Sequence, residues 1–162
     1  IMDLQFVAIV NIAYYAPNYW MRGEIKMREY KFRGIRIDNE EWVIGSLASF
    51  KGQTGIWGTD VIDGQAIIDR VDPETVGEYT GLKDKNGVEI YEDNICKDGY
   101  ERIFIVEYSN HFLRWQLVPL NKKVKEQYSY PVPIFAWIYP EMYLEVIGNI
   151  HQNPELLEVE NK

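Results

Sequence analysis

From Met27 onward no window of about eleven residues sustains a helical period, and this constrains the fold more than any other feature of the chain. Short apolar or aromatic runs recur instead, separated by Gly, Asp-Gly, Asn-Gly and Pro. That is the punctuation of strands joined by tight turns. The runs predict strands at 28–37, 41–49, 55–62, 66–70, 77–82, 88–97, 102–109, 112–119, 134–139 and 144–150. At Asp84-Lys85-Asn86-Gly87 the Asn-Gly pair predicts a type I′ turn, because both central residues of that turn need positive φ. Asp63-Gly64 predicts a second hairpin. Residues 121–130 (NKKVKEQYSY) read as an exposed loop, after which Pro131 and Pro133 hold the return to an edge or extended path. Only the end reads as helical, with Asn153 as cap, Pro154 at the first position and a short turn over Glu155 to Glu158. The expected fold is mainly β, a compact barrel-like antiparallel domain with a short C-terminal helical turn. Twelve Tyr and five Trp agree with it, since aromatic side chains suit a pleated, half-buried surface.

The chain has 162 residues, enough for one domain with a core that needs no disulfide or metal. The opening run Leu4 to Tyr15 is strongly apolar but shorter than the ~20 residues that span a bilayer, and no basic segment precedes it. Arg22-Gly23-Glu24 is one way a purine-rich ribosome-binding site reads in translation, and Met27 follows in frame. Residues 1–26 are therefore expected to be an upstream-translated leader and 27–162 the single domain. The leader holds two basic residues (Arg22, Lys26) and two acidic ones (Asp3, Glu24), so the net charge of −8 belongs to the body. Such a balance disfavours overall attraction to nucleic acid or an anionic membrane, although a local basic patch escapes that argument.

Cys96 is the only cysteine, which excludes a disulfide scaffold and a Cys-rich zinc site, and it is expected to be a buried structural thiol. The sequence holds no Gly-x-Ser-x-Gly elbow, Walker-type Gly-Lys-Ser/Thr, paired-His helix motif or Gly-x-Gly-x-x-Gly. Asp84-x-Asn86-Gly87 resembles half of a calcium loop, but Leu82 stands at the first ligand position and the flanks read as strands, so a plain hairpin is expected. Glu89, Glu92 and Asp93 lie close enough for two carboxylates to share acid and base roles in a cleft, or to form a solvated edge. His111 and His151 each sit beside a strand with no nucleophile identified for them. No catalytic residue, cofactor or metal site is assigned.

Two cationic stretches run against the acidic whole. Arg28, Lys31, Arg33 and Arg36 interleave with Tyr30 and Phe32, and strand alternation sends Lys31 and Arg33 to the face opposite Tyr30 and Phe32. Aromatics beside cations can stack on single-stranded nucleic acid. The competing reading is a half-buried strand with a solvated cationic face. Lys122, Lys123 and Lys125 form the second patch, in the expected loop.

Tyr79 to Ile95 (YTGLKDKNGVEIYEDNI), Glu145 to Leu157 (EVIGNIHQNPELL) and an opening of the form MREYKFRGIRID followed by Trp42 carry a more specific signal. Together they resemble the YopX family, small proteins carried by phages, prophages and related mobile elements. The matching motif positions are Tyr79, Gly81, Asp84, Asn86, Gly87, Tyr91, Glu92, Gly148, Asn149, Asn153 and Pro154. One departure stands out: the family usually has Gly-Asp after the Tyr-Glu pair, where this chain has Asp93-Asn94. A turn that uses Gly for positive φ must then be served by Asp or Asn, which tolerate that region. The resemblance implies a mostly β, barrel-like fold in a protein of the bacterial cytoplasm, and implies no activity. The expected function is a non-enzymatic protein-interaction module whose partner is a host or phage protein, with homo-oligomerisation also open and no membrane role. A single-stranded nucleic-acid-binding module and an enzyme of unrecognised type are the alternatives.

Overall fold

A computed structural model describes residues 29–62, 65–120, 132–134 and 143–161. The expected leader, Arg28, the lysine patch and most of the predicted 134–139 strand lie outside them. The described strands are β1 (Phe32–Ile35), β2 (Trp42–Phe50), β3 (Gln53–Ile62), β4 (Gln65–Arg70), β5 (Gly77–Lys83), β6 (Glu89–Tyr91), β7 (Asn94–Lys97), β8 (Ile103–Ser109), β9 (Arg114–Pro119), β10 (Val132–Pro133) and β11 (Glu145–Asn149). They make two antiparallel sheets, ordered β4-β3-β2-β1-β5-β6 and β10-β9-β8-β7-β11. The domain is mainly β, antiparallel and compact, as the sequence reading expects, and no closed barrel forms among the described residues. The helical turn at the end is a 3₁₀ segment, Pro154–Asn161.

The core lies on one face of the second sheet. Cys96, Phe104, Val106, Trp115 and Leu117 alternate inward from β7, β8 and β9 and pack with Ile90, Ile134 and Leu144. Cys96 is fully buried, and burial pushes its thiol up to about 12, which keeps it protonated and inert. The first sheet divides into two parts. Its β5–β6 end joins the core, whereas β2 contains no fully buried residue. A smaller cluster fills the inner face of β1–β4, where Gly34 lies against Val71 and Ile56 so closely that a β-carbon would come 3.0 Å from Val71 Cβ. The bridge Arg36↔Val71, with Ile37 N–H donating to Arg70 O (3.0 Å) and Asp72 N–H to Ile35 O (2.9 Å), clasps the end of β4 to the end of β1.

Two turns differ from the sequence reading. At residues 84–87 only Gly87 has positive φ (81°), and Gly87 N–H donates to Asp84 O (3.0 Å). That is a type I turn followed by a left-handed glycine, the three-residue hairpin form, rather than type I′. Asp84 decides it, because Oδ1 accepts from Asn86 N–H (2.7 Å) and Val88 N–H (2.9 Å) and fixes the first turn. The predicted strand 88–97 is in fact β6 and β7 separated by Glu92–Asp93, with Asp93 at φ 63°. Asp93 therefore holds the left-handed conformation anticipated for that position. Ile62 pairs with Gln65, and Asp63-Gly64, where the sequence predicts a hairpin turn, lies outside the described residues.

Candidate functional site

The two motif segments, fifty residues apart in the chain, meet in space. Asp84 Oδ2 accepts from Val146 N–H (2.9 Å) and Lys85 N–H donates to Leu144 O (2.9 Å). Asn94 Nδ2 donates to Gly148 O (3.1 Å), its Oδ1 accepts from Tyr91 N–H (2.7 Å), and Ile150 N–H donates to Asp93 O (3.1 Å). Asn149 Oδ1 accepts from His151 N–H and Gln152 N–H. Asn153 Oδ1 turns back to Asn149 N–H (3.2 Å) instead of capping the 3₁₀ segment that begins at Pro154. A β-carbon at Gly148 would meet Asn153 Oδ1 at 2.5 Å, so a larger residue there would displace the Asn153 side chain from Asn149 N–H. Gly81 (φ 85°) and Gly87 supply positive φ in the same hairpin. Glu92 contributes through its backbone, accepting from Arg33. The motif is thus a seam of side-chain and backbone hydrogen bonds that ties the hairpin and β7 to β11 and the residues flanking it.

Tyr79 and Tyr91 face each other across β5 and β6, ring centroids 5.4 Å apart. Above them the candidate nucleic-acid contacts of β1 bond within the protein. Lys31 sits 4.6 Å over the Tyr79 ring and pairs with Glu89, which also accepts from Tyr91 OH (2.8 Å). Arg33 lies between Trp42 (4.6 Å) and Tyr91 (4.9 Å) and donates to Glu92 O (3.1 Å). Burial pushes its guanidinium down to about 10, which still leaves it charged at neutral pH. Arg36 pairs with Asp38 (2.8 Å) and Asp69 (3.4 Å). Phe32 is half-buried and Tyr30 exposed. Lys31, Arg33 and Arg36 therefore make separate internal contacts and form no common open surface.

The carboxylates do not share a cleft either. Glu89 is held by Lys31 and Tyr91, and Asp93 approaches His151 Nε2 (3.4 Å). Burial and then the nearby Asp93 charge raise the Glu92 carboxyl. His111 is exposed with its ring edge-on to Phe112 (4.6 Å). Among the described residues no three of His, Cys, Asp and Glu are grouped to hold a metal ion.

What the sequence reading missed is the outer face of β2–β4. Residues opposite one another in antiparallel strands share a face, and Ser46↔Trp57↔Ile68 fixes which residues these are. Ile44, Ala48 and Phe50 of β2 lie on it with Trp57 and Ile68, and Arg33 joins at its β1 border opposite Ile44. Phe50 is 68 % exposed, Trp57 49 % and Ile68 50 %. Leu47, on the opposite face of β2, is also exposed, at 44 %, and Ala48 on the outer face is half-buried, so hydropathy alone could not tell one face from the other. Toward the Phe50 end the face sinks into a depression of about 230 Å³ lined by Ala48, Phe50, Gly55, Ile68 and Arg70.

Comparison with known proteins matches residues 31–158 to the family model described as YopX protein. Among solved structures, the chain is similar to the crystal structure of protein EF1440 from Enterococcus faecalis, at 26% sequence identity and a TM-score of 0.48, covering 80% of this chain and 99% of that one. No curated protein matches.

Proposed function

Since the chain belongs to the YopX family, with the match spanning nearly all of its described residues, we propose that it is a non-enzymatic protein-interaction module of a phage or prophage, acting on a protein in the cytoplasm of the bacterial host. The exposed outer face of β2–β4 carries this reading. Soluble proteins seldom leave several large apolar side chains together on one sheet face unless something covers them. Trp57 and Phe50 are also the residue types that anchor interfaces, because they bury a large rigid area with little rotamer entropy to lose. The engagement of Glu89, Asp93 and the motif residues in structural bonds supports a binding role over a catalytic one. No helix among the described residues is long and apolar enough to cross a membrane. The bacterial and phage setting rests on the family resemblance.

The test compares full-length wild type with a Phe50→Ser, Trp57→Ser double variant as bait in lysate of a bacterial host. A partner retained by wild type should bind the variant about thirtyfold more weakly, equivalent to about 2 kcal/mol, with circular dichroism unchanged. Equal retention by both baits, or no specific partner for wild type, overturns the reading.

A further inference from the structure

The two sheets end in four edge strands, and three of them offer little to a further strand. β10 is two residues long and contains Pro133, and β6 is three residues long with Tyr91 N–H given to Asn94. β11 is bonded along its outer side by Asp84 and Lys85 of the hairpin. The remaining edge, β4, runs from Gln65 to Arg70 without a Pro or Lys to guard it.

Register decides which backbone groups of β4 face outward. Val71 N–H donates to Thr54 O (3.1 Å), so Thr54 and Val71 form a bonded pair, and Ile56 with Asp69 forms the next. Alternation then turns the N–H and C=O of Ala66, Ile68 and Arg70 to the open edge. Ile37 N–H takes Arg70 O (3.0 Å), after which the chain turns away, with Glu40 N–H donating to Arg36 O (3.1 Å). Ile68 and Ala66 are left with no backbone partner on that edge among the described residues. Where Ile37 departs, a notch of about 240 Å³ opens, lined by Arg36, Ile37, Asp38, Ile68, Asp69 and Arg70.

Resting on the interaction-module reading above, we propose that β4 takes an extended segment of a partner protein as an added antiparallel strand. Outward N–H and C=O groups on a sheet edge are complementary to another main chain before any side chain is considered. Residues 35–37 already run antiparallel to 70–72, and the added strand continues that line past the point where Ile37 leaves it. Because Ile37 fills the place opposite Arg70, pairing begins with the residue opposite Asp69. The following residue exchanges two hydrogen bonds with Ile68 and lays its side chain on the outer face, where an apolar group extends the row from Trp57 to Ile68. The first residue points to the inner side of the notch, where Asp38 and Asp69 share one guanidinium, that of Arg36. Arg70 faces the other side of the strand. The negative excess beside the first residue selects Lys or Arg, and the net charge of −8 draws a basic segment in. The recognised pattern is therefore a basic residue followed directly by an apolar one. Self-pairing of two β4 strands does not supply it, because the one basic residue of β4, Arg70, sits at its own clasp beside Ile37.

The probe is a library of random decapeptides displayed on phage, selected against the immobilised full chain, with enriched peptides re-measured by fluorescence anisotropy. Wild type should enrich a basic residue followed directly by an apolar one, and the bound peptide should slow deuterium exchange at the Ile68 and Ala66 amides about tenfold or more. Methylating the backbone nitrogen of the peptide's apolar residue removes the N–H that meets Ile68 O and leaves every side chain in place. Binding should weaken about thirtyfold. Asp38→Lys, on the exposed turn, should abolish the preference for the basic residue. No enrichment, a pool indifferent to Asp38, tolerance of the N-methyl group, or unchanged exchange at Ile68 overturns the proposal. So does displacement of the peptides by oligo-dT, or a dimer by light scattering that protects the same two amides without peptide. Host-partner retention that is lost in the Phe50→Ser, Trp57→Ser variant but survives Asp38→Lys would leave the module reading standing and remove this one.

Discussion

Asp84 is almost wholly buried, and its side chain is bonded to three backbone N–H groups, two in its own hairpin and one on β11. A carboxylate with two oxygens filled by such donors has little left for a cation, which is why half of a calcium loop became a turn. Glu89 shows the opposite use of a carboxylate, held by side chains. Burial raises its pKa, but hydrogen bonds from Lys31 and Tyr91 outweigh that and bring it below the ordinary 4.5. Its contribution to stability is therefore complete above about pH 4.5 and is lost as pH falls through the depressed folded value. Glu92 works in the other direction: its carboxyl is raised by burial and by Asp93, so its penalty is relieved as pH falls toward 4.5. Glu89→Gln should cost about 1 kcal/mol at pH 7, with the gap from wild type closing below pH 4.5. Thermal melts between pH 7 and 3 check this, and a gap that stays constant with pH contradicts it.

At the scale of the element, β2 is positioned by absence of a side chain. A β-carbon at Gly45 would lie 2.0 Å from Trp57 O, and a backbone oxygen cannot swing aside. Gly45→Ala should therefore force β2 and β3 apart and cost about 1–3 kcal/mol, whereas Gly99→Ala, with nothing within 4 Å, should leave the melting temperature nearly unchanged. Similar melting temperatures for the two variants would contradict this account. Much of the element map was legible because turns declare themselves: Asn86-Gly87 located a hairpin from its chemistry, whereas the left-handed residue at Asp93 was legible only against the family pattern, within a run that otherwise read as one strand. The limits of β1 were not, since the predicted 28–37 run includes a turn after Arg36 that depends on the clasp to Val71. Nor was the fate of Arg33, because Trp42 and Tyr91 reach it only through sheet pairing. The same holds for the outer face, as alternation gives two sides to a strand but not which side is covered.

The molecule as a whole is uneven in its packing. The main cluster belongs to the second sheet with Ile90, and the β2–β4 meander relies on the small group around Gly34, Ile56 and Val71. Opening free energy follows buried apolar contact, so amides of β2–β4 should exchange with deuterium well before those of β7–β9. Hydrogen exchange resolved by mass spectrometry measures this, and uniform protection across both sheets would show that the meander draws on the main core.

The clasp between residues 35–37 and 70–72 has a mechanical consequence for that surface. A free edge strand peels, losing its hydrogen bonds one after another from the end. Here β4 is anchored where β1 ends, so peeling from that side first requires the clasp bonds and the Arg36↔Val71 bridge to fail together. A ligand pulling on Phe50 or Ile68 loads the meander in shear rather than at a loose hem, and the curvature it meets before contact is the curvature it finds afterwards.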